Sequence, residues 1–511
     1  MGSGFTRRRF LKAIGAGAAC LAVTAAGGYE MLGRTTKLRT LRIPKANPLR
    51  AQKVWPLPSV SPMLPKGVWA FRSRPDLGPA AAQLSTQARD TAPGYIFLAL
   101  KEGAGEHGPM ILDDLGRPVW FSKHTRARDF KVQYYRGRPV LTWWEGTVVA
   151  GHGVGEYVIF DDSYSEVRRV SAGQDYQGDL HEFLITPEGT ALLTAYTLAT
   201  VDLSAVGGPM GGAVWGGVAQ EVDIESGEVI FEWHSLEHVG VEESYVSPPS
   251  DPDYAYDYFH INSIDVYDAD HLLISCRNTW TVYKIDRRSG EVVWRLGGKR
   301  SDFEMGEGTR TALQHDARRH EDGTITVFDN GANLTGHDVS RAILLRLDEE
   351  EMSAALLSEY TSPEGLLSTS QGNAQILSNG NVFVGWGSQP YFSEFSREGE
   401  LLLDARFPPD CESYRAFRFP WKGHPTDEPA VAVEQLRDEK MKLYASWNGA
   451  TEVASWEVLA GARPSRVEPL GSVPRDGFET AVLAQTTGPY LAVRAKDRSG
   501  EVLGTSAPVA P

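Results

Sequence analysis

Three histidines stand at the openings of predicted inner β-strands, where they could contribute to one catalytic site. They are His181, His260 and His315. A single histidine at a strand start is more often a hydrogen-bonded structural residue, because buried polar groups need partners. Three histidines at equivalent positions of a repeated unit are harder to explain in that way, since the repeat brings such positions together in space. We therefore treat them as candidate site residues.

Three further polar residues lie near these histidines in sequence. Asn262 follows His260 by two positions, so strand alternation predicts that both point to the same face. Arg277 lies at the far end of the returning strand of that hairpin, where an ion pair is the simplest structural role. Arg318 follows His315 by three positions and faces the opposite side of a regular strand, which predicts a structural role.

Repeated hairpins must position these residues. Apolar and polar residues alternate up to a polar turn that usually ends in Gly. A second apolar run follows the turn, and this pattern is typical of a hairpin. The pattern predicts six outer hairpins, at residues 109–121, 157–170, 220–233, 282–296, 342–360 and 391–407. Inner strand pairs lie between them, at residues 95–101, 131–144, 184–195, 261–277, 315–330 and 371–386. Four strands that recur at intervals of roughly 40 to 80 residues predict an all-β, six-bladed β-propeller over residues 66–424.

The last part of the chain, residues 425–511, has a different pattern. Short alternating strands are predicted at residues 443–447, 453–459, 478–483 and 490–495. Turns every 8 to 12 residues are typical of a small β-sandwich. Trp447, Trp456 and Tyr490 are its predicted core residues. The segment resembles a fibronectin type III module, and it contains no cluster of chemically reactive residues.

The N-terminal segment resembles a twin-arginine export signal. Arg7, Arg8 and Arg9 precede an uncharged run rich in Ala and Gly that extends to Gly28. Residues 1–28 are therefore predicted to be a signal peptide, read by the twin-arginine export machinery, which exports folded proteins to the cell envelope or the medium. An uncleaved anchor and lipidation at Cys20 are the alternatives. Residues 29–65, rich in Pro and basic side chains, are predicted to be a linker.

Composition excludes some classes of partner and site. The formal net charge of −15 argues against nucleic-acid binding, which needs clustered Lys and Arg. Beyond the predicted signal only Cys276 and Cys411 remain, and we expect both to be unpaired and buried. Without a closely spaced Cys/His set, the sequence has no structural zinc signature.

Four short motifs indicate a family. They are DYFHINSID at residues 257–265, ISCRN at 274–278, LQHDAR at 313–318 and QGNAQIL at 371–377. Together with the exported six-blade pattern they resemble the arylsulfate sulfotransferase family, in particular its actinobacterial and fungal branch. The resemblance covers about residues 68–421.

The resemblance implies an activity and assigns residues to it. Members of the family transfer a sulfuryl group from an aryl sulfate to a phenol, without a nucleotide donor. His315 would be the nucleophile that becomes a transient sulfohistidine, which gives ping-pong kinetics. His260, Asn262 and Arg277 would hold the sulfate and assist the leaving group, and His181 would be a further histidine of the channel. No metal or other cofactor is required by this chemistry.

Two other functions agree with parts of the pattern. A noncatalytic exported binding propeller would use the same polar channel residues as scaffold. A quinoprotein-type dehydrogenase has similar hairpins, but it usually needs eight blades, a calcium-binding acidic set and often adjacent cysteines. The sequence shows none of these three features.

Overall fold

The chain folds into β-sheets with very little helix. The computed structural model describes residues 53–58, 67–251, 253–331 and 338–511. Within these ranges the helical structure consists of one turn of α-helix, α1 (Ser235–His238), and the 3₁₀ turns Ser204–Val206 and Val241–Glu243. No helix among the described residues is both long and apolar enough to cross a membrane. The all-β prediction is confirmed, whereas the predicted signal peptide lies outside the described residues.

The strands are numbered in chain order, and most of them belong to four-stranded antiparallel units. The strands before the C-terminal part are β1 (Val54–Pro56), β2 (Gln83–Thr86), β3 (Tyr95–Glu102), β4 (Gly108–Leu112), β5 (Pro118–Phe121), β6 (Ala127–Tyr135), β7 (Arg138–Val149), β8 (His152–Phe160), β9 (Glu166–Val170), β10 (Gly178–Ile185), β11 (Thr190–Val201), β12 (Gly212–Asp223), β13 (Val229–His234), β14 (Ile261–Val266), β15 (His271–Cys276), β16 (Thr281–Asp286), β17 (Val292–Gly297), β18 (Glu304–Met305), β19 (His315–Arg319), β20 (Ile325–Asp329), β21 (Arg341–Asp348), β22 (Ser353–Thr361), β23 (Asn373–Ile376), β24 (Val382–Gly385), β25 (Tyr391–Phe395), β26 (Leu401–Arg406) and β27 (Glu412–Phe419). The remaining strands are β28 (Ala430–Gln435), β29 (Lys440–Ser446), β30 (Ser455–Arg463), β31 (Arg466–Pro474), β32 (Glu479–Gln485), β33 (Tyr490–Lys496) and β34 (Val502–Thr505).

Six units account for β2 to β27. Strands β6 to β9 and β10 to β13 form two units that are joined into one sheet through the pairing of Gly155 with Gly178. Strands β14 to β17 form the third unit, β19 to β22 with β18 the fourth, and β23 to β26 with β2 the fifth. In the sixth unit β27, which comes last in the chain, pairs with β3 and so joins β3, β4 and β5. A late strand therefore completes an early sheet.

The innermost strands of the six units contact one another in series. Strand β6 contacts β10, β10 contacts β14, β14 contacts β19, and β19 contacts β23. Strand β23 contacts β27, and β27 contacts β6. Large aromatic side chains fill the space between neighbouring units, and Trp143, Trp144, Trp233, Trp294 and Trp386 are each at most 2% exposed. These tryptophans are therefore packing residues.

Bulges interrupt five of the six innermost strands at a similar level. The pairing register shifts between Arg128 and Lys131 in β6, between Gly178 and Phe183 in β10, and between Ile261 and Ser263 in β14. It also shifts within residues 315–318 of β19 and 413–416 of β27. A bulge turns a side chain out of regular alternation, and such bulges are common next to active sites. Strand alternation therefore fails at the level where the candidate residues lie.

The C-terminal part consists of two four-stranded sheets. One has the order β1, β32, β29, β28 and the other β31, β30, β33, β34. Trp447 and Trp456 are buried between them, as predicted, whereas Tyr490 is only partly buried and does not belong to this core. Strand β1 lies in the segment predicted to be a linker, and it pairs with β32 from Val54↔Ala484 to Pro56↔Val482. The linker prediction is corrected for these residues, because their backbone pairs with β32 and the Val54 side chain is buried in the core of the two sheets.

Both cysteines have the predicted state. Cys276 and Cys411 are buried and unpaired. Burial raises the pKa of each thiol, which keeps both side chains protonated and unreactive at neutral pH.

Candidate active site

A cavity of about 300 Å³ lies where the innermost strands begin. His181, His260, Arg277 and His315 line it together with Gln371 and other residues. The structure thus brings together four of the five residues predicted from the sequence, which come from three different units. His315 begins β19, His181 lies in β10, and His260 directly precedes β14 with a backbone φ of 54°.

The hydrogen bonds around His315 determine its tautomer. Its Nδ1 lies 2.9 Å from the Leu313 carbonyl oxygen and 2.7 Å from Oδ1 of Asn330. The Asn330 amide is oriented by its own Nδ2, which donates to the carbonyls of Ser368 (2.9 Å) and Gln371 (3.0 Å). Nδ1 therefore faces two acceptors and must carry the hydrogen. The Gln371 backbone N–H points at Nε2 from 3.2 Å, as it should for an unprotonated nitrogen.

The charge state of His315 follows from its surroundings. The side chain is 1% exposed. Burial, reinforced by the Arg277 guanidinium, lowers the pKa of His315 well below its ordinary value. His315 is thus a neutral imidazole at neutral pH, with a lone pair on Nε2.

The other two histidines are each anchored to a carboxylate. Nδ1 of His181 lies 2.5 Å from Oδ2 of Asp179, and Nδ1 of His260 lies 2.5 Å from Oδ2 of Asp257. The two imidazole rings are in edge-to-face contact, with centroids 4.8 Å apart. Burial lowers the pKa of His260, although Asp257 opposes this shift. In both histidines Nδ1 donates to the carboxylate, which leaves Nε2 available to a ligand.

Asp179 and Asp257 remain ionised. Burial of Asp179 raises its pKa, but the interactions with His181 outweigh this and bring the pKa below its usual value. Asp179 also accepts hydrogen bonds from the backbone of Gly153 and from Thr194. For Asp257 the favourable interactions with His260 and His152 likewise outweigh burial and lower the pKa. Each carboxylate can therefore fix the tautomer of its histidine.

Arg277 supplies positive charge without a carboxylate partner. Its guanidinium donates to Oδ1 of Asn278 (2.9 Å) and to the Thr369 carbonyl (3.2 Å), and among the described residues it forms no ion pair. Burial lowers the pKa of Arg277, but a guanidinium stays charged in proteins. An ion-pair role for Arg277 therefore finds no support in the described part of the chain. A partly buried cation without an ion pair favours an anionic ligand in the cavity.

Asn262 is the one predicted residue that does not line the cavity. It is fully buried, and its Nδ2 donates to the backbone carbonyl of Gln314 at 2.8 Å. The bulge between Ile261 and Ser263 removes the alternation that related it to His260. Asn262 thus holds the backbone immediately before His315 instead of reaching the cavity surface.

Arg318 has the predicted structural role, but not because the strand is regular. It pairs with Glu182 and, at 2.7 Å, with Asp316. Arg415 is fully buried beside them and pairs with Asp316 (3.2 Å), Asp129 (3.2 Å) and Glu182 (3.4 Å). Lys131 completes this group, which we call the central ion network and which lies between the beginnings and the ends of the innermost strands.

Sequence reasoning missed four residues of the site. Asn330, Asp179 and Asp257 anchor the three histidines, and the short spacing of each aspartate to its histidine was an available signal. The fourth residue, His152, is 3% exposed and packs against Tyr196 and Trp215. Its Nε2 lies 3.4 Å from Oδ2 of Asp257. No sequence signal indicated this contact.

His152, Asp257 and His260 could together hold a metal ion. Their potential ligand atoms all lie within 4.8 Å of one another. Two imidazoles and one carboxylate are a ligand set that suits Zn²⁺ and similar divalent cations.

Comparison with solved structures finds distant similarity. A protein of unknown function from Bacteroides caccae is 13% identical, with a TM-score of 0.40 over 64% of this chain and 100% of that one. A protein of unknown function from Dyadobacter fermentans is 11% identical, with a TM-score of 0.33 over 72% and 97%. Virginiamycin B lyase from Staphylococcus aureus is 9% identical, with a TM-score of 0.24 over 63% and 67%. No function follows from similarity at this level, and no curated protein matches the chain.

A protein-family model gives a decisive result. The model described as arylsulfotransferase (ASST) matches residues 131–408, which is more than half of the chain. The match contains His181, His260, Arg277 and His315, together with the aspartates and the asparagine that anchor the three histidines. The chain therefore belongs to the arylsulfotransferase family.

Proposed function

We propose that this protein transfers a sulfuryl group from an aryl sulfate ester to a phenolic acceptor, through a sulfohistidine formed on Nε2 of His315. The observation that carries the proposal is the fixed neutral tautomer of His315 in a cavity that also contains the unpaired cation Arg277. The unprotonated Nε2 provides the lone pair that a nitrogen nucleophile needs. The Arg277 guanidinium provides positive charge for the sulfate ester.

The reaction divides into two steps. In the first, Nε2 of His315 attacks sulfur, the N–S bond forms and the bond from sulfur to the aryl oxygen breaks. The step starts with His260 in its imidazolium form, whose charge the Asp257 carboxylate balances, and the leaving phenolate takes the proton from its Nε2. In the second step the acceptor phenol returns a proton to His260, its oxygen attacks sulfur, and the N–S bond breaks. Splitting the transfer in this way gives ping-pong kinetics.

The surrounding residues align and stabilise the transferred group. By analogy with phosphoryl transfer, charge stays on the nonbridging oxygens throughout, so positioning and electrostatic stabilisation do most of the work. Arg277 lies where it can bind these oxygens, and His181 can add a further hydrogen bond. Asn262 contributes indirectly, by holding the backbone before His315.

We propose a six-bladed β-propeller as the catalytic domain, over residues 66–424. The serial contacts of the six innermost strands and the pairing of β27 with β3 support this architecture. We further propose that residues 425–511 are a fibronectin type III-like module. Export through the twin-arginine machinery, with residues 1–28 as the signal, is the corresponding proposal for localisation, and a fractionation experiment with Arg8→Lys and Arg9→Lys together would test it.

The transfer can be tested with a chromogenic donor. Purified protein is mixed with an aryl sulfate that releases a coloured phenol, with and without a phenol acceptor, and the quenched enzyme is analysed by peptide mass spectrometry. We expect acceptor-dependent release and one added SO₃ group on the peptide that contains His315. His315→Ala should lose both, whereas His424→Ala, on an exposed turn, should keep both. The absence of turnover over a broad donor panel would instead favour a binding propeller.

A further inference from the structure

The cavity that contains His315 is lined by a second arginine besides Arg277. This residue is Arg128, in β6, and its side chain is half-buried. Its Nη1 donates to two backbone carbonyls, those of Thr125 (3.3 Å) and Ala127 (2.7 Å). Among the described residues Arg128 forms no ion pair, and its Nε and Nη2 have no protein acceptor. These donors are therefore available to a ligand.

The carboxylates near Arg128 do not contact it directly. Glu412 pairs with Lys101 at 2.8 Å and accepts from Nε2 of Gln371 at 3.2 Å. Glu102 is the one acidic residue among the described residues that line the cavity, and it is exposed. Both carboxylates act on the Arg128 guanidinium from a distance. Arg128 can thus still form direct hydrogen bonds with an anion that enters the cavity.

Arg128 and His315 belong to opposite strands of the series of innermost strands. The series runs β6, β10, β14, β19, β23, β27 and back to β6. His315 begins β19, which is three strands away from β6 in either direction, whereas Arg277 follows β15 in the unit next to that of His315. A ligand whose sulfuryl group lies at His315 and Arg277 therefore extends across the cavity toward Arg128.

Apolar side chains line the same cavity. They are Val148, Leu180 and the ring of Tyr414. Leu180 and Tyr414 are largely buried, at 7% and 3% exposed. A buried apolar surface of this kind suits an aromatic ring. The cavity thus offers a site for a sulfuryl group, a surface for the ring that carries it, and a second arginine on the opposite side.

The proposed transfer of a sulfuryl group needs only one of the two arginines. An aryl sulfate without further charged groups carries a single negative charge, and Arg277 is assigned to it. Arg128 has no task in that transfer. A guanidinium binds a carboxylate through two parallel hydrogen bonds, so an arginine without an ion pair in a binding cavity is best matched by a second anionic group on the ligand.

We propose that Arg128 selects substrates whose aryl ring bears an anionic substituent, such as a carboxylate, in addition to the group that reacts. The acceptors are then phenols that carry a carboxylate, and the donors are the sulfate esters of such phenols. The inference rests on the proposed sulfuryl transfer and deepens it, because it names the substrate class. Arg128 binds the substituent and takes no part in the bond changes at sulfur.

Matched pairs of acceptors test the proposal. The acids para- and meta-hydroxyphenylacetate are each compared with their neutral amide, with a nitrophenyl sulfate as donor. The methylene group keeps the acidity of the phenol nearly equal within each pair. In ping-pong kinetics, kcat/KM for the acceptor reports on the second half-reaction alone. We expect the wild type to prefer the acid of at least one pair by about tenfold or more, the size of one charge-assisted hydrogen bond.

Two variants of Arg128 locate the preference. Arg128→Gln should lower the ratio of kcat/KM for acid and amide to near one, and a ratio cancels any loss that is common to both acceptors. Arg128→Lys keeps the charge without the planar fork and should give an intermediate ratio. A wild-type ratio near one in both pairs would overturn the proposal. A wild-type ratio that survives in Arg128→Gln would overturn it as well.

Arg126→Gln is the matched control. Arg126 is exposed, lies two positions from Arg128 and is not among the residues that line the cavity. This variant removes the same charge from the same segment and should keep the wild-type ratio. A decrease as large as that of Arg128→Gln would mean that the charge of the segment, and not a contact in the cavity, sets the preference, which would overturn the proposal.

The neutral acceptors separate this proposal from the function on which it rests. If the wild type transfers a sulfuryl group to no phenol, charged or neutral, the proposed function fails and the inference fails with it. If it transfers to phenol and to both amides without preferring either acid, only the selection by Arg128 is overturned.

Discussion

The two ends of the innermost strands open into cavities of different chemistry. At the beginning of these strands lies the 300 Å³ cavity with three histidines and the unpaired Arg277. At their end lies a larger cavity, of about 560 Å³, lined by Lys131, Asp265 and Arg318 together with several apolar side chains. There Lys131 and Arg318 pair with carboxylates of the central ion network, and Asp265 accepts from the Arg319 backbone at 2.8 Å.

The comparison shows that cavity size does not locate the chemistry. The larger cavity is lined by three cations, Lys131, Arg136 and Arg318, and each of them pairs with a carboxylate of the protein. The smaller one holds Arg277, which forms no ion pair with a described carboxylate, beside His315, whose Nε2 is unprotonated and accepts from the Gln371 backbone. Binding and transferring an anion requires a site whose charge is not already satisfied.

The largest loss of unfolding free energy is expected in the central ion network, which separates the two cavities. Arg415→Ala removes a fully buried guanidinium and leaves Asp129, Glu182 and Asp316 short of positive charge. Breaking a buried ion pair from one side typically costs about 3–5 kcal/mol of unfolding free energy. Urea unfolding should show this loss. Arg288→Ala removes an exposed partner of Asp270 and should cost less than about 1 kcal/mol. Similar losses for both would mean that the network contributes little.

Arg277→Ala should remove from the smaller cavity the unpaired cation beside the histidines, while Arg128, which also lines this cavity, remains. Removing one preorganised donor to a developing charge typically lowers turnover by about 10²–10³-fold. We expect a loss of this size in kcat/KM, without a change in unfolding midpoint. Arg136→Ala removes an exposed cation beside the larger cavity, where it pairs with Glu225, and should leave kcat/KM within about threefold. An equal loss of kcat/KM in both variants would mean that the cation of the smaller cavity has no special role in turnover.

The lowered pKa of His315 predicts how the enzyme responds to acid. The rate of the first release of phenol, measured without acceptor, should stay the same from pH 7 to pH 6. His315 remains neutral in this range, where an ordinary imidazole takes up a proton. The unfolding free energy, in contrast, should change with pH in this range. The unfolded chain binds a proton at this residue below about pH 6.5 while the folded protein does not, so unfolding free energy falls as pH decreases. His315→Gln should show a weaker decrease than the wild type between pH 7 and pH 5, and an identical decrease would contradict this.

The smallest change in unfolding free energy is expected for a substitution at the larger cavity. Burial raises the pKa of Asp265 to about 6, so the ionised carboxylate costs stability above that pH. The group binds a proton more tightly in the folded state, and its favourable contribution is lost as pH rises through 6. Asp265→Asn should therefore raise the unfolding free energy by about 1 kcal/mol at pH 7.5, with little difference at pH 5. Turnover should not change, and a loss of turnover would place chemistry at this end as well.

The sequence was sufficient for the hairpins because their signals are local. Alternation and Gly turns marked most strands to within a few residues, and tryptophans at hairpin ends proved to be packing residues. The prediction failed for β1, whose three residues carry no turn signal and become a strand only by pairing with β32, more than 400 residues later. It also failed for Tyr490, because alternation cannot tell the core of a sandwich from its edge.

In the candidate site, too, local signals identified some residues and tertiary contacts decided the placement of others. His181, His260, Arg277 and His315 were found from residue type, position and motif, since strand openings of a repeated fold converge. The placement of Asn262 depends on a bulge, and a bulge is one extra residue that period-two reasoning cannot detect. His152 lies between two predicted hairpins, where a histidine is usually solvated, yet Tyr196 and Trp215 cover it from distant strands.

By itself, then, the sequence determined the all-β class, the hairpin repeat, the family resemblance and the candidate residues that line the smaller cavity, because these depend on local periodicity and on residue type. Only the tertiary structure decided which histidine is anchored by an amide and which by carboxylates, and which end of the innermost strands holds an arginine without an ion pair to a described carboxylate. These properties arise from contacts between residues far apart in the chain, and the basicity of an imidazole depends on the groups around it in space.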